Sequence, residues 1–190
     1  MAVSKKINRL PCTINKHLLP PLMQDNPIHP IASRIQEIIE KNHVPYERFE
    51  HKPVRTSQEA AAIRPEYTIA DGAKALIVHA DAPSTKNILI MLVVPGNMRF
   101  HKQKIASLGY THIHFASEDE VIHITGGVLP GGVPPWGFLF SLRTIVDEHI
   151  SQKDIIVFNA GDRRVSIAMR AQDYINLVHP DIIADITDSV

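Results

Sequence analysis

The stretch from Lys74 to Val94, KALIVHADAPSTKNILIMLVV, contains two apolar runs separated by a short polar segment. Residues 74–79 and 87–94 have the length of strands and are rich in Val, Ile and Leu, while Pro83–Lys86 between them is polar. Continuous apolar runs of this length are typical of strands that are covered on both faces. The two runs are therefore predicted to be strands buried on both sides.

Outward from this pair, further strand-like and helix-like segments follow without a regular alternation. Helical spacing of isoleucines, N-capping residues and a Ser–x–x–Glu capping box predict helices at 31–41, from Ser57 to Pro65, and at 102–108, 117–124 and 172–178. The remaining predicted strands are 46–50, 111–115, 139–146, 154–158 and 165–169. Because strands outnumber helices, the sequence predicts an α+β fold with a mixed, partly barrel-like sheet surrounded by helices.

The length and composition are those of one globular domain. The chain has 190 residues, of which 44% are hydrophobic and 21% charged. Five of the 14 prolines fall within the first 30 residues, where no helical or strand periodicity is present. Residues 1–29 are therefore predicted to form a flexible or loosely docked N-terminal arm, and residues 30–190 the globular domain.

The charge balance and the cysteine count exclude several classes of protein. Twenty Lys and Arg residues offset 20 Asp and Glu residues, so a generally basic DNA-binding protein is not expected and RNA contact needs a local patch. The lone Cys12 excludes an internal disulfide and zinc sites built on paired cysteines. No apolar run of about 18 residues occurs, so no transmembrane helix is predicted and no membrane partner is expected. The lone thiol is typical of a reducing compartment, so a cytoplasmic protein is predicted.

The most informative segment is residues 126–137, GGVLPGGVPPWG. It holds five of the nine glycines and three prolines. Glycine permits close backbone approach and proline stiffens the chain, so a shaped loop whose N–H groups hold a carbonyl oxygen, carboxylate or phosphate is predicted. The alternative is a tight helix-to-strand connection. Trp136 and Phe138 beside it either wall a pocket or belong to the core.

Lys74 and two histidines are the other candidates for chemistry. A lysine that enters a buried strand places its ammonium at the rim of a pocket, where it binds phosphate or orients an ester. The alternative is an exposed lysine at a strand end. His112 and His114 share one strand face in the predicted sheet and offer a pair of metal ligands, but no third ligand lies nearby in sequence.

Several motifs follow one another in a fixed order between residues 31 and 186. They are His51, Thr56 with Glu59–Ala60, Lys74 in AKALIV, Val94–Gly96, KIASLG, ASEDEV with Thr125–Gly126, Gly131–Pro135, and Asn159–Gly161. In this order and spacing the sequence resembles the YbaK family of aminoacyl-tRNA deacylases, which includes the prolyl-tRNA-synthetase-associated editing domains.

The resemblance implies a free-standing trans-editing deacylase that hydrolyses mischarged Ala- or Cys-tRNA-Pro. It implies no metal and no cofactor, because a ribose hydroxyl of the terminal adenosine helps to activate water. By this resemblance Lys74 and Gly131 are the catalytic residues, and Lys74 holds the phosphate of the terminal adenosine or the aminoacyl ester. Ser166 occupies the position at which some members carry His or Asp. The implied substrate-binding residues are His51, Gly132, Val133, Pro134, Pro135, Ala160, Gly161 and Ser166.

Two other functions stay open at this point. The domain could instead be a non-catalytic module that binds aminoacyl-tRNA or a synthetase. The neutral net charge of the chain favours this alternative. A metal-dependent hydrolase built on His112 and His114 is the third. The expected partners are aminoacyl-tRNA, with tRNA-Pro first, and an aminoacyl-tRNA synthetase.

Overall fold

The predicted strand pair forms the central hairpin of a five-stranded sheet in the computed structural model, which describes residues 27–189. The strands are β1 Tyr46–Glu50, β2 Ala73–Ala82, β3 Thr85–Pro95, β4 Met98–Phe100, β5 Thr111–Phe115, β6 Arg143–Asp147, β7 Ile155–Asn159, β8 Val165–Arg170, β9 Ile182–Ala184 and β10 Thr187–Ser189. The helices are α1 Pro30–Lys41, α2 Ser57–Ala62, α3 Lys102–Ser107, α4 Glu118–Ile124, α5 Glu148–Ser151 and α6 Ala171–Val178. None of the helices in this part of the chain is long and apolar enough to cross a membrane.

The predicted α+β fold with a mixed sheet is confirmed. The large sheet has the order β5-β2-β3-β6-β9, in which β2 pairs antiparallel with β3 and β5, while β6 pairs parallel with β3 and β9. Strands β1, β8 and β7 form a second, antiparallel sheet, and β10 pairs with β4. A bridge between Gly72 and Val157 joins the first two sheets. The described strands thus form three sheets and no closed barrel.

Strand β3 is buried on both faces, as its apolar run predicts. Met91 and Val93 belong to a core shared with the three-stranded sheet, α1 and α6. Ile90, Leu92 and Val94 belong to a second core against α3 and β5. All five side chains are fully buried. The hairpin therefore fixes the end of β2, where the candidate site lies, between two packed layers.

The boundaries predicted for α2 and β6 are wrong. The helix placed from Ser57 to Pro65 is capped one residue earlier by Thr56, in a capping box with Glu59, and ends at Ala62. The strand predicted from residue 139 begins at Arg143, because a 3-10 helix, Gly137–Phe140, occupies the first half of that apolar run. At α2, Thr56 satisfies the same capping preference as its neighbour Ser57.

Most of the predicted N-terminal arm, residues 1–26, lies outside the described residues. Of the remainder, Pro27 accepts a hydrogen bond from Arg164 at its carbonyl oxygen, and the backbone N–H of His29 donates to Asp162. The His29 side chain also caps α1. The chain from Pro27 onward therefore packs against the turn between β7 and β8.

Candidate active site

A cavity of about 310 Å³ opens where α2, the start of β2, the end of β7 and the glycine loop (residues 126–137) meet. Its polar wall contains three cationic side chains, Arg55, Arg64 and Lys74, together with hydroxyl and amide groups. No Asp or Glu stands among the described residues that line it. A pocket with this lining attracts oxygen-rich or anionic ligands.

Lys74 places its ammonium in the cavity wall. Its Nζ donates to the carbonyl oxygens of Gly96 at 3.3 Å and Met98 at 2.6 Å. Burial, and secondarily the charge of Arg99, lowers the pKa of Lys74. An ammonium has three donors, so the two carbonyls hold the group in place and leave one N–H for a substrate oxygen.

Gly131 is the residue of the glycine loop whose Cβ position lies against Arg55, in the segment that precedes α2. Its φ is +88°, and a Cβ at this position would lie 2.6 Å from the carbonyl oxygen of Arg55. Its own carbonyl oxygen accepts a hydrogen bond of 2.6 Å from Asn159. The N–H groups of Gly131 and Val133, both cavity-lining residues, find no acceptor among residues 27–189. The loop therefore offers free backbone donors at the cavity.

The rest of the glycine loop is held by hydrogen bonds from the turn between β7 and β8. Gly161 N donates to Gly132 O at 3.0 Å, and Arg163 Nε donates to Pro130 O at 2.7 Å. Of the residues assigned to the site by resemblance, only Lys74, Gly131 and Val133 line the cavity. The predicted substrate-binding residues that lie behind the wall in this arrangement are Gly132, Pro134, Pro135, Ala160 and Gly161.

The turn that supports the loop is organised by Asp162. Burial alone would raise the pKa of this carboxyl, but hydrogen bonds from Arg164 and from the His29 N–H lower it to about 2. Its Oδ2 lies 2.8 Å from Nη2 of Arg164. The turn is thus fixed by an ionised carboxylate at every pH at which the protein would be assayed.

His51 and Ser166 reach the cavity through Asn159. Ser166 Oγ lies 2.6 Å from His51 Nε2 and 3.0 Å from Asn159 Oδ1, and Asn159 Nδ2 donates to Gly131 O. Ser166 is fully buried and does not line the cavity, so its hydroxyl is not placed to attack an ester. The Ser–His pair instead orients the Asn159 amide, which in turn holds the Gly131 peptide.

The protonation of His51 follows from its surroundings. Its Nδ1 lies 2.8 Å from the carbonyl oxygen of Lys52, which only accepts, so Nδ1 carries a hydrogen. Burial lowers the pKa of His51 below its ordinary value. At neutral pH the ring is therefore neutral, and its Nε2 competes with Asn159 for the single hydroxyl hydrogen of Ser166.

A pH dependence of stability follows from this lowered pKa. As the pH falls through about 6.5, His51 takes up a proton in the unfolded chain before it does so in the folded one, so unfolding becomes easier. We expect the wild type to lose stability between about pH 7.5 and about pH 5.5, and a His51→Gln variant to lose less. Denaturant unfolding at both pH values measures the difference. Equal losses in the two proteins would contradict a neutral buried His51.

Three cavity residues, Asn159, Arg64 and Tyr67, were not assigned to the site from the sequence. Asn159 ends β7 and belongs to the Asn159–Gly161 motif of the resemblance, which is the signal that marks this position in the sequence. Tyr67 donates to Glu47 at 3.0 Å, and burial raises its pKa. Arg64 and Tyr67 lie in the irregular segment between α2 and β2, where no periodicity marks them.

The histidine pair does not assemble a metal centre within the described residues. His112 has an exposed side chain that contacts Asp81 at 3.2 Å, while the ring of His114 stacks on His79. The group of three neighbouring metal-ligating side chains in residues 27–189 lies elsewhere, at Asp147, His149 and Asp185. Asp147 is there fully bonded to backbone and side-chain donors of this chain.

Trp136 belongs to the core. It is fully buried, packs against Phe158 and Tyr174, and does not line the cavity. Of the two interpretations of this aromatic residue, the structure supports the core residue that anchors the loop. Phe138 is 45% exposed and packs on the Trp136 ring.

Comparison with known proteins agrees with this geometry. Residues 51–177 match the family model of the aminoacyl-tRNA editing domain. The chain is 25% identical over 134 residues to the multifunctional Ser/Thr-tRNA deacylase ProXp-y of Escherichia coli (strain K12), covering 70% of this chain and 79% of that protein. The fold is shared with the crystal structure of the hypothetical protein APE2540, with a TM-score of 0.71 at 23% identity over 82% of this chain and 99% of that one. It is also shared with a candidate trans-editing enzyme for prolyl-tRNA synthetase, with a TM-score of 0.69 at 23% identity over 86% of this chain and 100% of that one.

The fold, the cavity and these matches define an aminoacyl-tRNA deacylase by class. The family model covers about two thirds of the sequence, including α2, Lys74, the glycine loop and the β7–β8 turn. The chain belongs to the aminoacyl-tRNA editing domain family, and its resemblance to the YbaK-type editing domains is confirmed.

Proposed function

We propose that the protein acts in trans to hydrolyse the ester that links a wrong, small amino acid to the terminal adenosine of tRNA, with Ala- and Cys-tRNA-Pro as its substrates. One observation carries this proposal. Lys74, whose ammonium is held by two carbonyl oxygens, lines one positive cavity together with Gly131 and Val133, whose backbone N–H groups find no acceptor among residues 27–189.

The need for such an activity follows from the limits of binding. One methylene is worth only about 1–3 kcal/mol of discrimination, so a synthetase cannot strongly reject an amino acid smaller than its own. A separate site must then remove the wrong ester. The E. coli relative is named a Ser/Thr-tRNA deacylase, so seryl and threonyl esters are tested as substrates as well.

In the proposed reaction the protein positions the ester and stabilises developing charge. The remaining N–H of Lys74 donates to the ester, and the loop N–H groups of Gly131 and Val133 face the carbonyl oxygen as it becomes negative. The vicinal ribose hydroxyl of the terminal adenosine orients a water molecule, which adds to the carbonyl carbon. The bond from that carbon to the ribose oxygen breaks, and a proton from the water goes to the ribose oxygen. The products are free amino acid and uncharged tRNA.

The ribose hydroxyl can be tested on the substrate alone. Replacing the hydroxyl next to the ester by hydrogen is expected to lower the catalysed rate about 10²-fold or more, because a group that handles the water's proton is lost. The rate of spontaneous hydrolysis of each substrate is subtracted as the control. If both substrates are cleaved at the same catalysed rate, a group of the protein must activate the water.

Turnover separates this function from a binding module. With charged tRNA in large excess over protein, a deacylase releases more amino acid than there are protein molecules. A module that only binds releases none, whatever its affinity. A synthetase partner would supply tRNA contacts that a neutral protein lacks, so the same assay is repeated with prolyl-tRNA synthetase added.

A further inference from the structure

Arg64 carries a buried guanidinium nitrogen without a partner. The residue is 8% exposed and lines the cavity. Its Nε donates to the carbonyl oxygen of Ala60 at 2.9 Å, but its Nη1 is buried and has no hydrogen-bond partner among the described residues. A buried cationic donor left unpaired is costly to a fold.

The side chain is fixed where it is by the end of α2. The helix ends at Ala62, and the Nε bond to Ala60 satisfies one of its terminal carbonyls. This capping uses one of the five donors of the guanidinium. Burial lowers the pKa of Arg64 to about 10, and Tyr67 offsets this effect only in part. The group is therefore charged at neutral pH, and the capping bond leaves its Nη1 donor without a partner among the described residues of the cavity wall.

The chemistry of the cavity indicates which ligand group would meet this donor. Arg55, at the rim, already pairs with Glu118, whereas no acid among residues 27–189 pairs with Arg64. The ammonium or amine of an aminoacyl ester is repelled by, or indifferent to, a guanidinium. The nearest anion in an aminoacyl-tRNA is the phosphodiester that joins the terminal adenosine to the preceding nucleotide. Guanidinium is the side chain best suited to grip such a group.

We propose that Arg64 binds this terminal phosphodiester and so sets how deeply the aminoacyl ester enters the cavity. The inference rests on the proposed function, whose substrate it locates. The two cations then have different roles. Lys74, held by the carbonyl oxygens of Gly96 and Met98, binds the ester, and Arg64 binds the phosphate.

Equilibrium binding of a non-hydrolysable analogue tests the assignment. The analogue is tRNA-Pro with alanine joined to its terminal adenosine through an amide, made either with the natural terminal phosphodiester or with an uncharged methylphosphonate there. Wild type is expected to bind the uncharged form about tenfold to a hundredfold more weakly. Arg64→Gln should show that loss already with the natural linkage and little further loss with the uncharged one, and its salt slope should fall by about 0.7. Arg34→Gln, which removes an exposed cation of α1, is the control and should behave as wild type.

Arg64→Lys, which keeps the charge but not the planar fork, should bind between wild type and Arg64→Gln. The inference is overturned if wild type binds both linkages equally, a result that needs no variant to fold. It is also overturned if Lys74→Met, rather than Arg64→Gln, removes the sensitivity to the linkage. Because the amide is never cleaved, these outcomes do not depend on turnover. If wild type fails to hydrolyse the charged tRNA but still binds the natural phosphodiester more tightly than the methylphosphonate, the result counts against the proposed function and not against the role of Arg64.

Discussion

Replacing Lys74 by methionine is expected to lower the single-turnover rate of ester hydrolysis about 10²–10³-fold, the usual effect of removing one donor that stabilises a developing oxyanion. Methionine keeps the apolar stem but offers no hydrogen bond to the ester. It also leaves the carbonyl oxygens of Gly96 and Met98 without their donor, so a modest loss of stability should accompany the kinetic effect. Rapid-quench hydrolysis with enzyme in excess measures the rate.

Lys86→Met is the matched control for this variant. Lys86 is an exposed residue near the start of β3, away from the cavity, and the same substitution there should leave the rate unchanged. Denaturant unfolding of both variants shows whether Lys74→Met remains folded. A folded Lys74→Met protein that hydrolyses the ester as fast as wild type would remove Lys74 from the mechanism.

Gly131→Ala is expected to have the second-largest effect, lowering both stability and activity. The new Cβ would lie 2.6 Å from the carbonyl oxygen of Arg55, and the φ of +88° is unfavourable for any residue with a side chain. The strain costs about 1–3 kcal/mol, and the loop must move away from the backbone of Arg55, just before α2, to relieve the clash. A displacement of about 1 Å of the loop donors is enough to slow hydrolysis about 10²-fold.

The Gly126→Ala variant separates the effect of backbone strain from the effect of a steric clash. Gly126 also has a positive φ, +68°, but a Cβ there would meet nothing within 4 Å. This variant should lose stability through backbone strain alone and lose less activity than Gly131→Ala. If the two variants lose activity equally, the close contact between Gly131 and the backbone of Arg55 has no role in catalysis.

Local signals explain why much of the fold could be predicted. The β2–β3 hairpin is encoded by two long apolar runs, and the capping box of α4 by Ser117 and Glu120. The same local signals misplace boundaries when two neighbours compete, as Thr56 and Ser57 do at the start of α2. Strands β4, β9 and β10 have three residues each and are too short to show any alternation.

The site was only partly predictable because its parts meet across the chain. Composition marks the glycine loop, and Lys74 is marked both by its place at the start of a buried strand and by the resemblance. The contact of His51 with Ser166 joins residues 115 positions apart, and no spacing in the sequence indicates it. The hydrogen bond from Asn159 to the carbonyl oxygen of Gly131 is likewise not indicated by any spacing. Arg64 stands out only in the structure, because its buried Nη1 has no hydrogen-bond partner among the described residues.

The measurement that tests the central claim most directly is the release of amino acid from charged tRNA by the purified wild-type protein. Enzyme in excess is mixed with Ala-, Cys-, Ser- and Thr-charged tRNA-Pro, with correctly charged Pro-tRNA-Pro as the matched control and a known deacylase as the positive control. We predict that at least one of the four mischarged esters is cleaved well above its spontaneous rate while the prolyl ester persists. Decay of all four at the spontaneous rate, with the positive control active, would contradict the assignment of this cavity as a deacylation site.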